Sequence, residues 1–256
     1  MLDYAAFPQQ RQALICQILQ ENGRVVCAEL AARLQVSEHT IRRDLHELSR
    51  EGFCKKVYGG AVLSLPEAGD YSERKDKNRA IKLRIAQQSV RLVKPGGTIF
   101  IDTGTTNLAM AEALPAELAL TVVTNSPEIA AVLVKKPLYD VVMLGGQVQR
   151  ASGGCVGAAA VAQVQGMLFD QGFIGGCAMA PESGLTGFDY ADCEFKKAVI
   201  KQCSEIIVGL TSDKIPAAAR FVVAASSDID VLVVEENISR EYRVAFQQHD
   251  IRIYTV

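Results

Sequence analysis

The segment 37–50, SEHTIRRDLHELSR, constrains the fold most, because its apolar residues recur with helical spacing. Ile41, Leu45 and Leu48 stand at i, i+4 and i+7, so a helix turns all of them towards a small core. Ser37 is a suitable N-cap, and Gly52 is a suitable left-handed stop just past the end. The segment is therefore predicted to be a helix with a cationic outer face.

The outer face of this predicted helix carries arginines and histidines. Guanidinium groups near the start of an exposed helix can bind phosphates, or donate paired hydrogen bonds to guanine in the major groove of DNA. This pattern favours a recognition helix. The alternative is that Arg42 and Arg43 are solvated surface charges balanced by Asp44, Glu47 and Glu51.

The flanking sequence favours the recognition helix. Residues 9–22 predict a helix, and residues 29–34 predict a shorter one that ends in a tight turn. Residues 53–62, FCKKVYGGAV, form two short apolar runs around Gly59 and Gly60, which predicts a β-hairpin. Three short helices and a hairpin are typical of a winged helix-turn-helix domain that binds DNA. The residues predicted to contact DNA are Ser37, His39, Thr40, Arg42, Arg43, His46, Lys55 and Lys56.

Ten positions of this region resemble the N-terminal signature of the DeoR family of bacterial transcription regulators. They are Arg11, Ile15, Leu19, Ser37, Thr40, Ile41, Arg42, Arg43, Asp44 and Leu45. The resemblance implies that the chain binds double-stranded operator DNA.

The composition is that of a globular protein with one large domain, or a small domain and a medium one. The 256 residues are 49% hydrophobic and 22% charged, which is enough apolar surface for a core. No run of about 18 uncharged apolar residues is present, and the start, MLDYAAFPQQ, lacks the features of a signal peptide. We therefore expect a cytoplasmic protein with no membrane partner.

The formal net charge of −2 requires that any DNA-binding charge be local. Residues 42–56 carry five Lys or Arg against three Asp or Glu. Because each neutralised phosphate adds about one unit to the salt dependence of binding, this small surplus predicts weak non-specific binding by one copy. We therefore expect a homodimer or homotetramer on a repeated site.

The cysteines and histidines predict neither a disulfide framework nor a metal site. The seven cysteines form no C-x-x-C pair and are odd in number, and two of the three histidines lie on the predicted recognition helix. We expect no metal and no cofactor.

A change in composition marks a domain boundary after the hairpin. Residues 64–78, SLPEAGDYSERKDKN, are charged and almost devoid of apolar residues, which predicts a linker. Residues 79–93 predict an amphipathic helix with Lys82 off its apolar side; it is either the transmitter of a conformational change or a simple linker helix. The predicted organisation is a winged helix-turn-helix domain at 1–63, the linker, and an α/β effector-sensing domain at 79–256.

Beyond residue 95, short apolar runs alternate with helical segments, which is typical of a mostly parallel α/β sheet. The runs are 98–101, 120–124, 139–144, 171–175, 205–210 and 229–235. Such sheets bind ligands at the carboxyl ends of their strands. The loops that follow the runs are therefore the expected location of a binding site.

The loops after the first runs are rich in glycine and hydroxyl residues. The run 102–106, DTGTT, can direct backbone N–H groups and hydroxyls at a phosphate from a helix N-terminus, although a tight turn with a threonine cap explains it equally well. Lys197, on a predicted helix, and Lys214 are the expected charged anchors. Lys196 and Lys201 are expected at the surface.

These loops resemble the sensor domain of the same DeoR family. The matching motifs are D-x-GTT at 102–106, TNS at 124–126, LGG at 144–146, GLT at 184–186, SDID at 227–230, and Glu194 with Lys197. The resemblance implies a fold similar to ribose-5-phosphate isomerase and a repressor of a carbohydrate-utilisation operon, with a phosphorylated sugar or related metabolite as effector. The residues predicted to bind it are Asp102, Gly104, Thr105, Thr106, Thr124, Asn125, Ser126, Gly145, Gly146, Gly157, Glu194, Lys197 and Lys214.

The chain departs from the family pattern at positions that bear on catalysis. Cys177 and Ala180 stand where the family usually has aspartates, and Thr211 stands at the aspartate of its usual D-x-S-K-F-G loop. Aldose–ketose isomerisation needs a carboxylate base over the substrate carbons. The departures argue against turnover, so we expect no catalytic residues; the alternative is a phosphosugar isomerase or transferase-like enzyme with an appended N-terminal domain.

Overall fold

The computed structural model describes residues 7–65 and 69–256. Residues 1–6, in the segment predicted to lack a signal peptide, and residues 66–68 of the predicted linker lie outside the described residues. Within the described ranges, the helices are all too short or too polar to traverse a bilayer.

The N-terminal part of the chain folds as a winged helix-turn-helix, as its apolar periodicity predicts. Its elements in chain order are α1 (Pro8–Asn22), β1 (Arg24–Val26), α2 (Cys27–Leu34), α3 (Glu38–Arg50), β2 (Cys54–Val57) and β3 (Gly60–Leu63). Ile15, Leu19 and Ile41 are fully buried where the helices meet. The hydroxyl of Ser37 accepts a hydrogen bond from the backbone N–H of Thr40 at 3.1 Å, and this bond caps α3 as expected.

The wing contains a strand that the sequence pattern did not predict. β3 pairs antiparallel with both β2 and β1, so the hairpin becomes a sheet in the order β1-β3-β2. With three residues, β1 is too short to show an alternation of apolar and polar side chains. The hairpin turn has Gly59 at φ +79° and leaves Tyr58 fully exposed at its tip.

Asp44 is not the surface counter-charge that the alternative interpretation of α3 supposed. Its Oδ2 accepts from Arg11 Nε at 2.5 Å and its Oδ1 accepts from Arg11 Nη2 at 3.0 Å. Each of the two side chains is 1% exposed. The pair therefore ties α1 to α3 inside the domain.

The predicted linker contains a short helix, and a second helix follows it. These are α4 (Tyr71–Asp76) and α5 (Arg79–Val90). Tyr71 is buried against the sensor domain, as are Ile85 and Ala86. The prediction that Lys82 lies off the buried side of its helix is wrong: it is 7% exposed and its Nζ donates to the carbonyl oxygen of Arg74. That carbonyl, near the end of α4, supplies the acceptor that a buried ammonium group requires.

The rest of the chain forms an α/β domain. Its elements are β4 (Thr98–Ile101), α6 (Thr105–Ala113), β5 (Leu120–Thr124), α7 (Pro127–Leu133), β6 (Tyr139–Met143), β7 (Gln147–Gln149), β8 (Gly154–Val156), α8 (Ala158–Val164), β9 (Gln171–Ile174), β10 (Ala178–Ala180), β11 (Gly184–Gly187), α9 (Tyr190–Ile200), β12 (Ile206–Gly209), β13 (Phe221–Ala224), β14 (Val231–Val234), α10 (Arg240–Gln247) and β15 (Arg252–Thr255). The largest sheet among the described residues has seven parallel strands in the order β15-β14-β12-β9-β4-β5-β6. The predicted fold class is confirmed.

Helices cover both faces of this sheet. Consecutive side chains of a strand point to opposite faces, so each strand contributes to both cores. On β4, Ile99 and Ile101 belong to the core beneath α5, α6 and α7. Phe100, between them, belongs to the core beneath α8, α9 and α10. The antiparallel sheet β10-β11-β13 packs on this second core. β15 escaped prediction because it is an edge strand whose side chains are all at least partly exposed.

The wing docks directly on the sensor domain. The backbone N–H of Ala218 donates to the carbonyl of Leu63 at 3.0 Å, and the N–H of Leu65 donates to the carbonyl of Ala218 at 3.3 Å. Val62 packs beside these bonds against Ala180 and Ala218. The chain that leaves β3 therefore runs alongside the segment that holds Ala218.

Polar contacts extend this interface at β1. Arg24 pairs with Glu182 at 2.7 Å and also with Glu241. Its guanidinium carbon lies 5.3 Å from the ring centroid of Tyr242, whose hydroxyl donates to the carbonyl of Asn22 at 2.7 Å. The winged domain and the sensor domain are thus joined by backbone, apolar and charged contacts.

Candidate functional site

A cavity of about 500 Å³ opens at the carboxyl ends of the central strands. Its wall is built from the start of α6, the turn between β7 and β8, the loop after β9, the start of α9, the turn after β12, and α4 with the residues just before it. Strand ends and helix N-termini meet here, as expected for the ligand site of a parallel α/β sheet.

The N-terminus of α6 forms one side of the cavity. Gly104, the N-cap, has φ +136°, a backbone conformation that residues with a Cβ rarely adopt, and it has no side chain to cap the helix. Thr105 and Thr106 follow it on the cavity wall. The first backbone N–H groups of α6 and these hydroxyls are suited to an anion such as a phosphate.

A buried lysine with two aspartates lies beside this helix end. Lys196 Nζ is 2.5 Å from Asp192 Oδ2 and 3.5 Å from Asp102 Oδ2, which also accepts from the N–H of Gly175 at 2.9 Å. Burial raises the pKa of Asp102, although Lys196 opposes that shift. Burial disfavours the charged form of Lys196, but Asp102 and Asp192 outweigh it and raise its pKa.

Two polar atoms on the cavity wall are left without a partner. Among the described residues, Asp192 Oδ1 and Gln149 Oε1 are buried and accept no hydrogen bond, and neither does Asp102 Oδ1 below the wall. A buried acceptor without a donor costs roughly 1–3 kcal/mol. A ligand with hydroxyl groups can supply the missing donors.

Lys214 places a second ammonium group at the cavity. Its Nζ donates to a neutral acceptor, the carbonyl of Gly176, at 3.0 Å. Burial lowers the pKa of Lys214, and the charges of Arg74 and Lys196 lower it further. An anion bound here removes that repulsion. The wall can therefore hold a phosphate and hydroxyl groups in the same molecule.

Some of the residues predicted to bind an effector line this cavity: Gly104, Thr105, Thr106 and Lys214. Asp102 lies beneath the wall and is fully buried. Thr103, between Asp102 and Gly104, is on the wall instead.

The residues of the TNS motif support the cavity without lining it. Thr124, Asn125 and Ser126 are fully buried at the end of β5. Asn125 Oδ1 accepts from the N–H of Thr103 at 3.0 Å, and its Nδ2 donates to the carbonyl of Cys155 at 3.1 Å. Ser126 caps α7. Their side chains are used inside the protein, which corrects the expectation of direct contact.

The remaining predicted positions lie away from the cavity wall. Gly145 and Gly146 belong to an exposed loop held by Gln163, and Gly157 is the N-cap of α8. Glu194 and Lys197 pair with each other at 2.7 Å on the outer side of α9. Their absence from the wall is a correction to the prediction.

The prediction that Lys196 lies at the surface and Lys197 at the site is wrong by one residue. Lys196 is 5% exposed and lines the cavity. Consecutive residues of a helix differ by about 100° in direction, so Lys197 turns outward. The missed signal is the i, i+4 spacing of Asp192 and Lys196 beside the apolar Phe195 and Val199. Other lining residues that the sequence did not single out are Arg74, Thr103, Gln149, Ser152 and Asp189.

The DNA-facing residues of α3 lie on an accessible surface. The exposed members of the set are Ser37, His39, Arg42, Arg43, His46 and Lys56, and Thr40 is partly buried. Arg42 Nη2 pairs with Glu38 Oε2 at 2.8 Å. Arg43 forms no ion pair within the described part of the chain. Its guanidinium group is therefore available to an external acceptor.

Lys55 faces the sensor domain, which corrects its predicted place among the DNA contacts. Its Nζ donates to the carbonyl of Ala219 at 3.4 Å, and burial lowers its pKa. Neighbouring residues of a strand point to opposite faces, so Lys56 is exposed while Lys55 points inward.

Comparison with known proteins matches both parts of the chain to one family. Residues 77–236 match the family model described as DeoR C terminal sensor domain, and residues 11–66 match the model described as DeoR-like helix-turn-helix domain. The HTH-type transcriptional regulator GolR of Listeria innocua serovar 6a is 31% identical over 94% of this chain and 96% of its own.

Repressors are also among the similar proteins. The glycerol-3-phosphate regulon repressor of Haemophilus influenzae is 33% identical over 87% of each chain, and that of Escherichia coli K12 is 29% identical over 88% of this chain and 90% of its own. Among solved structures, ribose 5-phosphate isomerase A from Methanocaldococcus jannaschii is 20% identical, with a TM-score of 0.40 over 54% of this chain and 55% of its own.

Proposed function

Because the chain belongs to the DeoR family of transcriptional regulators, we propose that it represses a carbohydrate-utilisation operon. We propose further that a phosphorylated sugar or related metabolite controls its affinity for operator DNA. The observation that carries the effector class is the cavity, where the N-terminus of α6 and Lys214 offer donors for a phosphate beside the unpartnered Asp192. Two relatives named as repressors of a glycerol-3-phosphate regulon support a small phosphate ester.

The DNA contact in this proposal is made by α3. Arg43, exposed on its outer face, either donates paired hydrogen bonds to a guanine or binds a phosphate. Ser37, Thr40 and Arg42 lie near the start of the same helix, where recognition helices approach the base edges. Lys56, on the wing, contacts the DNA backbone.

The effector acts by a shift between two conformations. To change operator affinity, the effector must bind one of these conformations more tightly than the other, by a coupling free energy of about 1–3 kcal/mol. Helix α5, which follows the linker and packs on the sensor core through Ile85 and Ala86, is a candidate transmitter. If changes to its exposed face leave the effector response intact, α5 is a linker helix and no more.

Binding without turnover completes the proposal. The relatives are transcriptional regulators, and Cys177, on the cavity wall, stands where the family usually has an aspartate. We expect purified protein to leave sugar phosphates unchanged. The protein acts in the cytoplasm, as a homodimer or homotetramer whose paired modules bind a repeated site.

Operator binding and ligand binding provide the test. A thermal-shift screen of sugar and polyol phosphates identifies the effector, and gel shifts on DNA that flanks the protein's own gene measure operator affinity. Arg43→Ala should weaken specific binding by roughly 1–3 kcal/mol per half-site. The control is Arg84→Ala, which removes an exposed arginine from α5. Equal affinity of wild type and Arg43→Ala would remove Arg43 from the proposed interface.

A further inference from the structure

Helix α4 is part of the cavity wall although it belongs to the segment that leads out of the wing. β3 ends at Leu63 and α4 begins at Tyr71. Gly69, Glu73 and Arg74 nevertheless line the same cavity as the N-terminus of α6. The connection between the two domains is therefore within reach of a bound ligand.

Tyr71 anchors α4 on the sensor domain. Its hydroxyl donates to Glu128 Oε2 at 3.1 Å, and Lys75 pairs with the same carboxylate at 3.2 Å. The ring covers Gly153, where an added Cβ would lie 2.7 Å from ring carbons. Glycine at this position permits the close approach. Tyr71 thus fixes the start of α4 on the sensor domain, while Arg74 is directed to the cavity.

Arg74 is held by contacts that leave part of its donor capacity for a ligand. Its Nη2 donates to the carbonyl of Ala151, across the cavity wall, at 2.6 Å. Its guanidinium carbon lies 5.8 Å from the ring centroid of Tyr71. A guanidinium group has five N–H donors, so one neutral carbonyl does not exhaust it.

Three positive side chains lie close together here, and the carboxylates of Glu73 and Asp213 share the wall of the adjoining cavity. Arg74 and Lys214 line both the main cavity and an adjoining cavity of about 350 Å³, which Lys82 also lines. Burial lowers the pKa of Lys82 to about 8, and the charges of Lys214 and Arg74 contribute to the shift. A phosphate that contacts Arg74 and Lys214 accepts charge-assisted hydrogen bonds from both and offsets their mutual repulsion.

We propose that Arg74 binds the phosphate of the effector together with Lys214 and the N-terminus of α6, so that the ligand holds α4 in place on the sensor domain. This inference rests on the proposed function, because it takes a phosphate ester as the ligand. It adds a residue outside the predicted sensor domain and makes the linker itself a ligand-binding element.

The same two residues connect the cavity to the wing. Arg74 lies on the segment that follows β3, and Lys214 directly precedes the segment that contains Ala218 and Ala219. Ala218 exchanges backbone hydrogen bonds with Leu63 and Leu65 at the base of the wing. A phosphate that contacts Arg74 and Lys214 therefore fixes both chain segments that meet at the base of the wing.

The experiment uses the full-length protein with inorganic phosphate and glycerol 3-phosphate as probes. Hydrogen exchange of the amides of residues 71–77 is measured with and without each probe, and affinity is measured by calorimetry. With ligand at about ten times its Kd, exchange in α4 should slow by roughly 10-fold in the wild type. Arg74→Gln should weaken binding by about 10- to 100-fold and abolish the protection, and Arg74→Lys should retain part of both.

The matched control is Arg79→Gln, which removes an exposed positive charge close to the same helix and is outside both cavity walls. It should bind the probes like the wild type and show the same protection. Equal affinity of wild type and Arg74→Gln overturns the inference, as does unchanged exchange of α4 in the wild type with both probes. The proposed function is judged separately, by whether operator binding responds to any phosphate ester and depends on Arg43.

Discussion

The winged domain and the sensor domain each contain a buried pair of opposite charges, and the two differ in how completely their hydrogen bonds are satisfied. Arg11 and Asp44 bind each other through both carboxylate oxygens. Lys196 binds Asp192 and approaches Asp102, but one oxygen of each aspartate is left without a donor among the described residues. The first pair completes a fold, whereas the second leaves acceptors beside a cavity.

A structural ion pair can be distinguished from a binding site by whether all its polar atoms have partners. Charges removed from water are tolerated when each finds partners. A carboxylate with an unpartnered oxygen next to open space is instead suited to a ligand that brings the donor. The comparison predicts that changes at the first pair alter stability and changes at the second alter ligand affinity.

The largest expected effect is at Asp44. Asp44→Ala leaves Arg11 buried with its carboxylate partner removed, and should destabilise the winged domain by about 3–5 kcal/mol. Chemical denaturation followed by a probe in α1 measures the loss. Arg11→Met combined with Asp44→Leu should recover much of it, because both buried charges are then removed. A single variant as stable as the wild type would contradict a structural role for the pair.

Glu205 is a fully bonded carboxylate in the sensor domain itself, and we expect it to affect stability as Asp44 does. Its oxygens accept from Lys94 Nζ at 2.8 Å, Arg252 Nη2 at 2.5 Å and Gln171 Nε2 at 2.9 Å. Burial acts to raise its pKa, but these bonds outweigh it and lower the pKa from 4.5 to about 2. A lowered carboxylate pKa stabilises the protein above the ordinary value and ceases to do so as pH falls through the folded value.

The advantage of the wild type over Glu205→Gln should therefore be about 3 kcal/mol near pH 7 and shrink as pH falls from about 4.5 towards 2. Urea denaturation of both proteins across that range measures it. A difference in stability that stays constant with pH would show that the pKa of Glu205 is not lowered by folding.

Asp192 tests the incomplete pair. Asp192→Asn keeps the shape of the side chain, and Lys196 retains Asp102, so stability should fall by less than in Asp44→Ala. Affinity for the effector should fall by about 10- to 100-fold, since the amide offers a weaker acceptor to ligand hydroxyls. The control is Glu194→Gln, on the outer side of the same helix. If both variants bind the effector alike, the unpartnered oxygen has no part in recognition.

The smallest effect is expected at the exposed pair on α3. Glu38 and Arg42 are 46% and 64% exposed, so their ion pair is largely screened by water. Glu38→Gln should change the free energy of unfolding by less than about 0.5 kcal/mol. Thermal unfolding in low and high salt measures it. A loss comparable with that of Asp44→Ala would mean that exposure does not decide the strength of these pairs.

The sequence predicts features that depend on local periodicity. The stripe of Ile41, Leu45 and Leu48 with the cap at Ser37 defines α3, and the apolar runs define most strands of the central sheet. These signals are readable because each element buries one face or is buried on both. Exposure of Arg43 follows directly from that periodicity.

The composition of the cavity wall depends on distant contacts and is less predictable. Asn125 and Thr103 are both polar residues at strand ends, yet Asn125 is used to hold Thr103, which alone faces the cavity. Arg74 reaches the wall because α4 folds back on the sensor domain, and the charged linker sequence carries no sign of it. Lys196 and Lys197 differ only in helical direction, which a motif match does not resolve.

The most direct test of whether α3 binds DNA while the cavity binds the effector measures two quantities on three proteins: wild type, Arg43→Ala and Lys214→Ala. Operator affinity is measured without effector by fluorescence anisotropy, and effector affinity is measured without DNA by calorimetry. Arg43→Ala should lower operator affinity and leave effector affinity unchanged, whereas Lys214→Ala should lower effector affinity and leave operator affinity unchanged. Variants that alter both quantities together would contradict this assignment.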